Sequence, residues 1–317
     1  VGFSDVDVVA KDDVWIVGSR GDPSRSLVLH YDGSDLEVVD SPSPFRLSTT
    51  LAALSVVAPD DVWAVGSGVV QVKPNFRYVP FAVHFDGTAW AHRSPRRIHS
   101  KFGGSLTALA ALSPSDVWAF GSYERGGDRS ALAERWNGKR WRTVHVPGGA
   151  VAAATMHAPG SVWVASADFQ VFRWNGWRWL EASPGPITNA SGGLHGISAL
   201  TDTDVWVVGA YAAGPIAGRF DGRTLRNLPV PYAHFKGNYE AREDSHMTDV
   251  IAFARDEVLA VSNFGIEHHD GKRWRKVHPA QSLSALDAVS RDDVWAVGSR
   301  YELGIGWRGI VRHYSCS

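Results

Sequence analysis

One phrase, Asp-Asp-Val-Trp-Ala-Val-Gly-Ser, restricts what this chain can fold into more than any other feature. Clear copies lie at Asp60–Ser67 and Asp292–Ser299, and a near copy at Asp12–Ser19. Looser versions run Ser115–Ser122, Gly160–Ser166, Thr203–Ala210 and Asp256–Ser262. A fixed phrase returning every few tens of residues marks a repeat architecture, in which each unit buries its apolar face against the next.

The Val-Trp pair of the phrase falls at Trp15, Trp63, Trp118, Trp163, Trp206, Leu259 and Trp295, giving spacings of 48, 55, 45, 43, 53 and 36 residues. Apolar residues alternate or occur in brief runs, with no sustained helical period, so the units are built of strands. Spacings of about 40–50 residues with strands throughout are those of propeller blades. Each unit offers an inner strand rich in small residues (Ala52, Ala53, Ala108, Ala152, Ala153, Gly196), then the phrase, then a third strand. That third strand ends in His30-Tyr-Asp-Gly33, His84-Phe-Asp-Gly87, Arg135-Trp-Asn-Gly138 and similar sequences. Asp-Gly and Asn-Gly are strong hairpin signals because they accept positive φ. A fourth strand follows, with Trp90, Trp141, Trp179 or Trp274 three residues after the Gly. The expected fold is all-β: a seven-bladed β-propeller over residues 1–317, as a single domain around a central channel.

The tandem Asp-Val-Trp-Ala-Val-Gly phrases resemble those of secreted bacterial β-propeller proteins. The resemblance covers nearly the whole chain and implies the fold and a secreted or extracytoplasmic location, with which the absence of an initiator Met agrees. It implies no single activity, because function resides in sites grafted onto a fold. One departure stands out: after His313-Tyr314 there is no fourth strand for the last blade. Either a closing strand has been trimmed away or that blade keeps an open edge.

The balance of 32 basic and 33 acidic side chains, net charge −1, argues against nucleic acid as a partner. No apolar run approaches the ~20 residues of a membrane-spanning helix. The single cysteine, Cys316, excludes an internal disulfide and any multi-cysteine metal site. A monomer is the favoured state.

In a four-stranded meander the short turns gather on one face. The long connections, near residues 19–27, 67–80, 94–105, 122–131, 183–195, 229–246 and 299–308, gather on the other, and long loops on a rigid scaffold commonly carry function. Twelve of the 14 tryptophans fit the repeat; Trp307 is one of the two that do not. Six of the eight tyrosines, including Tyr78, Tyr239 and Tyr301, lie in the long connections. Because these connections are unequal, a single site at the channel mouth is expected rather than one site per blade.

The densest stretch, Tyr232–His246, holds His234, Tyr239, Glu240, Arg242, Glu243 and Asp244. His246 and His195 occupy comparable places at the starts of adjacent inner strands. With Tyr239 they could serve as general base and acid, or with a nearby carboxylate as Zn²⁺ ligands. Arg97, Lys101 and Arg242 supply cations for an anionic ligand, and Tyr78, His234, Tyr301 and Trp307 supply further contacts. Asp5, Asp249 and Asp287, with Asp7, fall on inner strands, where they could hold Ca²⁺ or bond channel water and neighbouring backbone N–H groups. Two functions follow. One is a lyase or hydrolase acting on a polar, anionic, saccharide-like ligand; the other is a non-catalytic glycan- or protein-binding scaffold. The recurring His30, His84, His268 and His313 share a position that takes Arg elsewhere, which marks them as a repeated structural hydrogen bond.

Overall fold

A computed structural model describes residues 1–95, 103–183, 192–211, 214–230, 246–280 and 282–315. The described chain is all strand and turn, arranged as seven antiparallel sheets. Blade 1 comprises β1 (Gly2–Ala10), β2 (Asp13–Arg20), β3 (Arg25–Tyr31) and β4 (Leu36–Val39). Blade 2 is β5 (Ser48–Ala58), β6 (Asp61–Val72), β7 (Asn75–Phe85) and β8 (Trp90–His92). Blade 3 is β9 (Gly104–Ser113), β10 (Asp116–Arg125), β11 (Asp128–Trp136) and β12 (Trp141–Thr143). Blade 4 is β13 (Val151–Ala158), β14 (Ser161–Ser166), β15 (Val171–Trp174) and β16 (Trp179–Glu181). Blade 5 is β17 (Gly192–Thr201), β18 (Asp204–Tyr211), β19 (Gly214–Phe220) and β20 (Leu225–Leu228). Blade 6 is β21 (Met247–Ala254), β22 (Glu257–Ser262), β23 (Gly265–His269) and β24 (Trp274–Pro279). Blade 7 has three strands, β25 (Leu283–Ser290), β26 (Asp293–Glu302) and β27 (Gly306–Ser315). The inner strands touch in ring order and β25 meets β1, so the propeller closes.

The repeated phrase is the second strand of each blade, and its chemistry explains why it recurs. Its Trp is buried between neighbouring sheets: Trp63, Trp118, Trp163 and Trp206 are all at most 1% exposed. Its leading Asp faces the His or Arg of the third strand. Asp13 Oδ1 lies 2.8 Å from His30 Nε2 and accepts the Trp15 indole N–H at 3.0 Å, while the His30 and Trp15 rings stack at 4.1 Å. Asp61–His84 and Asp293–His313 repeat this at 2.9 and 2.8 Å. In blades 3 and 5 the partner is Arg: Arg135 Nε donates to Asp116 at 2.8 Å, and Arg219 donates twice to Asp204 at 2.6 and 2.7 Å. Each guanidinium also lies over the neighbouring Trp, with Arg135 5.0 Å from Trp118 and Arg219 5.8 Å from Trp206. The third-strand histidines are thus structural, as their alternation with Arg indicates.

Blade 4 breaks the pattern and repairs it from outside. Its phrase begins with Ser161, and Asp202 of blade 5 reaches across to take the Ser161 hydroxyl and the Arg173 guanidinium. The substitution converts a clamp within one blade into a seam between two.

The Gly of the phrase answers to backbone proximity rather than to φ. A Cβ built on Gly18, Gly66, Gly121, Gly209 or Gly298 would fall 1.9–2.1 Å from a carbonyl oxygen of the adjacent inner strand. Blades 4 and 6 carry Ser166 and Ser262 at this point, and both strands end there in tight turns. Where Gly is present the second strand continues outward. The connections expected as loops at 19–27, 67–80, 122–131 and 299–308 are therefore hairpin arms. Pairing runs out to Arg20↔Arg25, Val72↔Asn75, Arg125↔Asp128 and Glu302↔Gly306. Alternation continuing past the Gly keeps these segments in strand geometry.

Replacing Asp204 with Ala strands the half-buried Arg219 cation. Urea unfolding is expected to show a loss of about 2–3 kcal/mol, whereas Asp292→Ala, at an exposed carboxylate, should stay within about 0.5 kcal/mol. Equal losses at the two positions would contradict the clamp.

Candidate functional site

The inner strands run side by side around a narrow channel of about 160 Å³. At one position of its lining six blades present a small or hydroxyl-bearing residue (Ser4, Ala52, Thr107, Ala152, Thr248, Ser284) where blade 5 presents His195; Asp5 and Asp249 also line the channel. Glycine explains how His195 is accommodated. Gly196 follows it, and a Cβ there would lie 2.7 Å from the Asp249 Cα, so blades 5 and 6 approach at this level more closely than a side chain would allow.

The sequence places His195 and His246 at matching strand starts, and the structure brings them together, with ring centroids 6.0 Å apart at 85°. His195 Nδ1 lies 3.1 Å from the Met247 carbonyl, which can only accept, so Nδ1 carries the proton and Nε2 is left as an acceptor. Burial lowers the His195 pKa and the neighbouring His246 lowers it further, against the opposing pull of the carbonyl. A neutral imidazole at a channel mouth can accept a hydrogen bond or a proton. Tyr239, the third member of the expected acid–base set, lies outside the described residues, as do His234, Arg97, Lys101 and Arg242.

The channel carboxylates join blade to blade. Asp249 of blade 6 accepts the Leu286 N–H of blade 7 at 3.2 Å, and Asp287 of blade 7 accepts Val8 N–H of blade 1 at 2.7 Å. Asp5 and Asp7 of blade 1 accept Leu54 and Val56 N–H of blade 2 at 2.9 and 2.8 Å. Between blades 5 and 6 the Ser198 hydroxyl takes the same role, accepting from Ala252 at 3.1 Å. Among the described residues no three His, Cys, Asp or Glu side chains converge as metal ligands would. Burial is the leading cause of their raised pKa values: Asp249 is pushed up to about 7 and Asp7 to about 6, and Asp5 and Asp287 rise well above the ordinary carboxylate value.

The remaining expected residues lie on two separate arms. Tyr301 and Trp307 face each other across β26 and β27, with ring centroids 5.7 Å apart and exposures of 59% and 61%. Tyr78 projects from the β6–β7 arm of blade 2. Sequence reasoning missed their neighbours. Leu303 and Ile305 cap the blade 7 arm, and Val72 and Phe76 the blade 2 arm, all exposed. The signal was present as Tyr301-x-Leu303-x-Ile305-x-Trp307, an apolar alternation that reads as core strand until the hairpin is seen to stand clear of the disc.

With this geometry in view, comparison with known proteins establishes fold only. No family model matches, and no curated protein matches. Among solved structures, the chain is similar to YCF48 bound to D1 peptide, with 16% identity and TM-score 0.63 over 100% of this chain and 94% of that one. It is also similar to the RRP9 WD40 repeats, with 13% identity and TM-score 0.64 over 99% and 94%. The WD40 β-propeller domain of Doa1 gives 14% identity and TM-score 0.61 over 98% and 92%.

The channel carboxylates fix the sign of a pH effect. Because burial raises Asp249 from 3.8 to about 7, the folded state binds more protons than the unfolded state in between, and stability falls as pH rises through that window. Asp249→Asn cannot titrate, and its single oxygen serves one of the two backbone donors, Leu286 and Val250 N–H, that the carboxylate accepts, a loss that does not depend on pH. Its melting temperature should decline less than that of the wild type between about pH 4 and pH 7; parallel profiles would contradict the assignment.

Proposed function

We propose that this propeller is a non-catalytic scaffold that binds a peptide or protein through the arms of its long-connection face. The observation carrying this reading is the concentration of exposed, large apolar side chains on two hairpins: Val72, Phe76 and Tyr78 on one, and Tyr301, Leu303, Ile305 and Trp307 on the other. Rigid aromatic anchors lose little entropy on binding and dominate many interfaces. A β-hairpin holds them in place without a core of its own. YCF48, to which the chain is similar in fold, was solved with a D1 peptide bound. That is a property of YCF48, and it supports a peptide-binding reading here by analogy.

A second reading rests on the neutral His195 beside His246 at the channel mouth. There the same face would act as a lyase or hydrolase on an anionic saccharide, with His195 as the base. The extracytoplasmic location belongs with either reading as a proposal.

Panning a random peptide display library against the immobilised protein separates the two. Aromatic-rich peptides are expected to enrich, and the joint substitution of Tyr301→Ala and Trp307→Ala should weaken their binding at least ~10-fold. His195→Ala should leave it unchanged. Absence of any enriched peptide, together with His195-dependent turnover of an acidic oligosaccharide, would overturn the scaffold reading in favour of the second.

A further inference from the structure

We propose that the groove between the outer strands of blades 2 and 3 is a binding site for a small organic anion with an apolar body, of the class of aromatic carboxylates and sulfonates. The site is independent of the arms and of the channel. The groove has a volume of about 620 Å³, nearly four times that of the channel, and falls in the range of small-molecule sites.

Its apolar walls are fixed by contacts of their own. Trp141 opens β12 and is 7% exposed, and its indole N–H donates to the Arg93 carbonyl at 2.5 Å, which ties blade 3 to blade 2 at the groove. Trp136, at the end of β11, lies against Trp141 with ring centroids 5.7 Å apart. On the blade 2 side, His92 Nε2 lies 2.7 Å from Ser94 Oγ. Phe45 closes the far wall. Its carbonyl accepts from Arg25 at 2.7 Å, and its ring meets Phe81 at 5.6 Å. A Cβ on Gly68 would fall 1.9 Å from the Phe45 ring, so glycine leaves the ring this seat. Walls already held in place lose little freedom when a ligand arrives.

Arg93, Lys139 and Arg140 line the same groove, are exposed, and have no carboxylate partner among the described residues. The sequence shows why. In a chain with 32 basic and 33 acidic side chains, residues 87–115 and 135–167 hold eight Lys and Arg and no Asp or Glu. These two stretches supply the facing sides of the groove.

The turn before Lys139 is the local reason. Blades 1, 2, 5 and 6 turn on Asp32, Asp86, Asp221 and Asp270, whereas blade 3 turns on Asn137. Asn137 Oδ1 accepts the Lys139 and Arg140 N–H at 3.1 and 3.0 Å, as the Asp221 and Asp270 carboxylates do in their own turns. The amide therefore makes the turn and withholds the charge. In blades 5 and 6 the turn acid also pairs with Arg226 or Arg275, at 3.2 and 3.0 Å. The blade 3 residue in that register, Arg142, has no carboxylate partner among the described residues. Three uncompensated cations around an aromatic floor select an anion, which Arg takes through a bidentate fork. The neighbouring segment 96–102 has the wrong charge to be the occupant, since it holds Arg96, Arg97 and Lys101 and no acid.

The test titrates the full chain with anilinonaphthalene sulfonate, an apolar anion that fluoresces when removed from water. Saturable one-to-one binding is expected, and the uncharged counterpart phenylnaphthylamine should bind at least ~10-fold more weakly. Joint Arg93→Glu and Arg140→Glu should weaken sulfonate binding ~10-fold or more. Asn137→Asp, which keeps the turn and restores its charge, should weaken it ~3-fold with an unchanged melting temperature. Joint Tyr301→Ala and Trp307→Ala should leave it as it was, which separates the groove from the arms. No saturable binding, equal binding of the uncharged compound, or indifference to the charge reversals would each overturn the proposal. So would tighter displacement of the sulfonate by hexaglutamate than by naphthoate, which assigns the groove to an acidic polypeptide. Self-association on sedimentation that abolishes the sulfonate signal would also overturn it, by assigning the groove to a second copy.

Discussion

The fold depends on a carboxylate at the start of the second strand that, in five of the seven blades, holds a cationic or imidazole side chain against a buried tryptophan. One Asp satisfies the third-strand His or Arg and, in blades 1 and 3, the indole N–H as well. Without it, the polar group lying over the Trp would be buried without a partner, a costly arrangement in a water-poor gap between sheets. The same unit fixes which way the Trp points and hence how one blade meets the next. Blade 4 shows how strongly it is required: where Ser161 replaces the acid, Asp202 of the next blade takes its place.

Around the axis the logic is different. Inner strands crowd too closely for large side chains, and carboxylates or hydroxyls bind across the seams from blade 5 round to blade 2. These groups are buried acids whose ionisation burial opposes. The disc is thus tied together at its centre and through its inter-blade packing by groups that lie apart from the arms on one face.

The fold was legible because propeller blades repeat their chemistry: the spacing of Trp15 to Trp295, the Asp-Gly turns and the small inner residues each map onto one strand or turn. The His/Arg alternation at the third strand also disclosed its structural role. The site was less legible. The pairing of His195 with His246 followed from matching strand starts, but the arms did not, because Leu303 and Ile305 obey the same alternation as core residues. Only pairing that continues past Gly298 distinguishes an arm from a loop. Asp5, Asp249 and Asp287 were open to either a cation or backbone N–H groups from the sequence, since a register across blades decides which donors lie within reach.

The central claim is that recognition has been moved off the repeat and onto arms that the disc does not need. Excising Arg300–Arg308 in favour of an Asn-Gly turn tests it most directly, by calorimetry and peptide binding on the same sample. The melting temperature should hold within about 2 °C, as for other surface changes, while binding to arm-selected peptides disappears. A shortened protein that unfolds, or one that binds as before, would contradict the account.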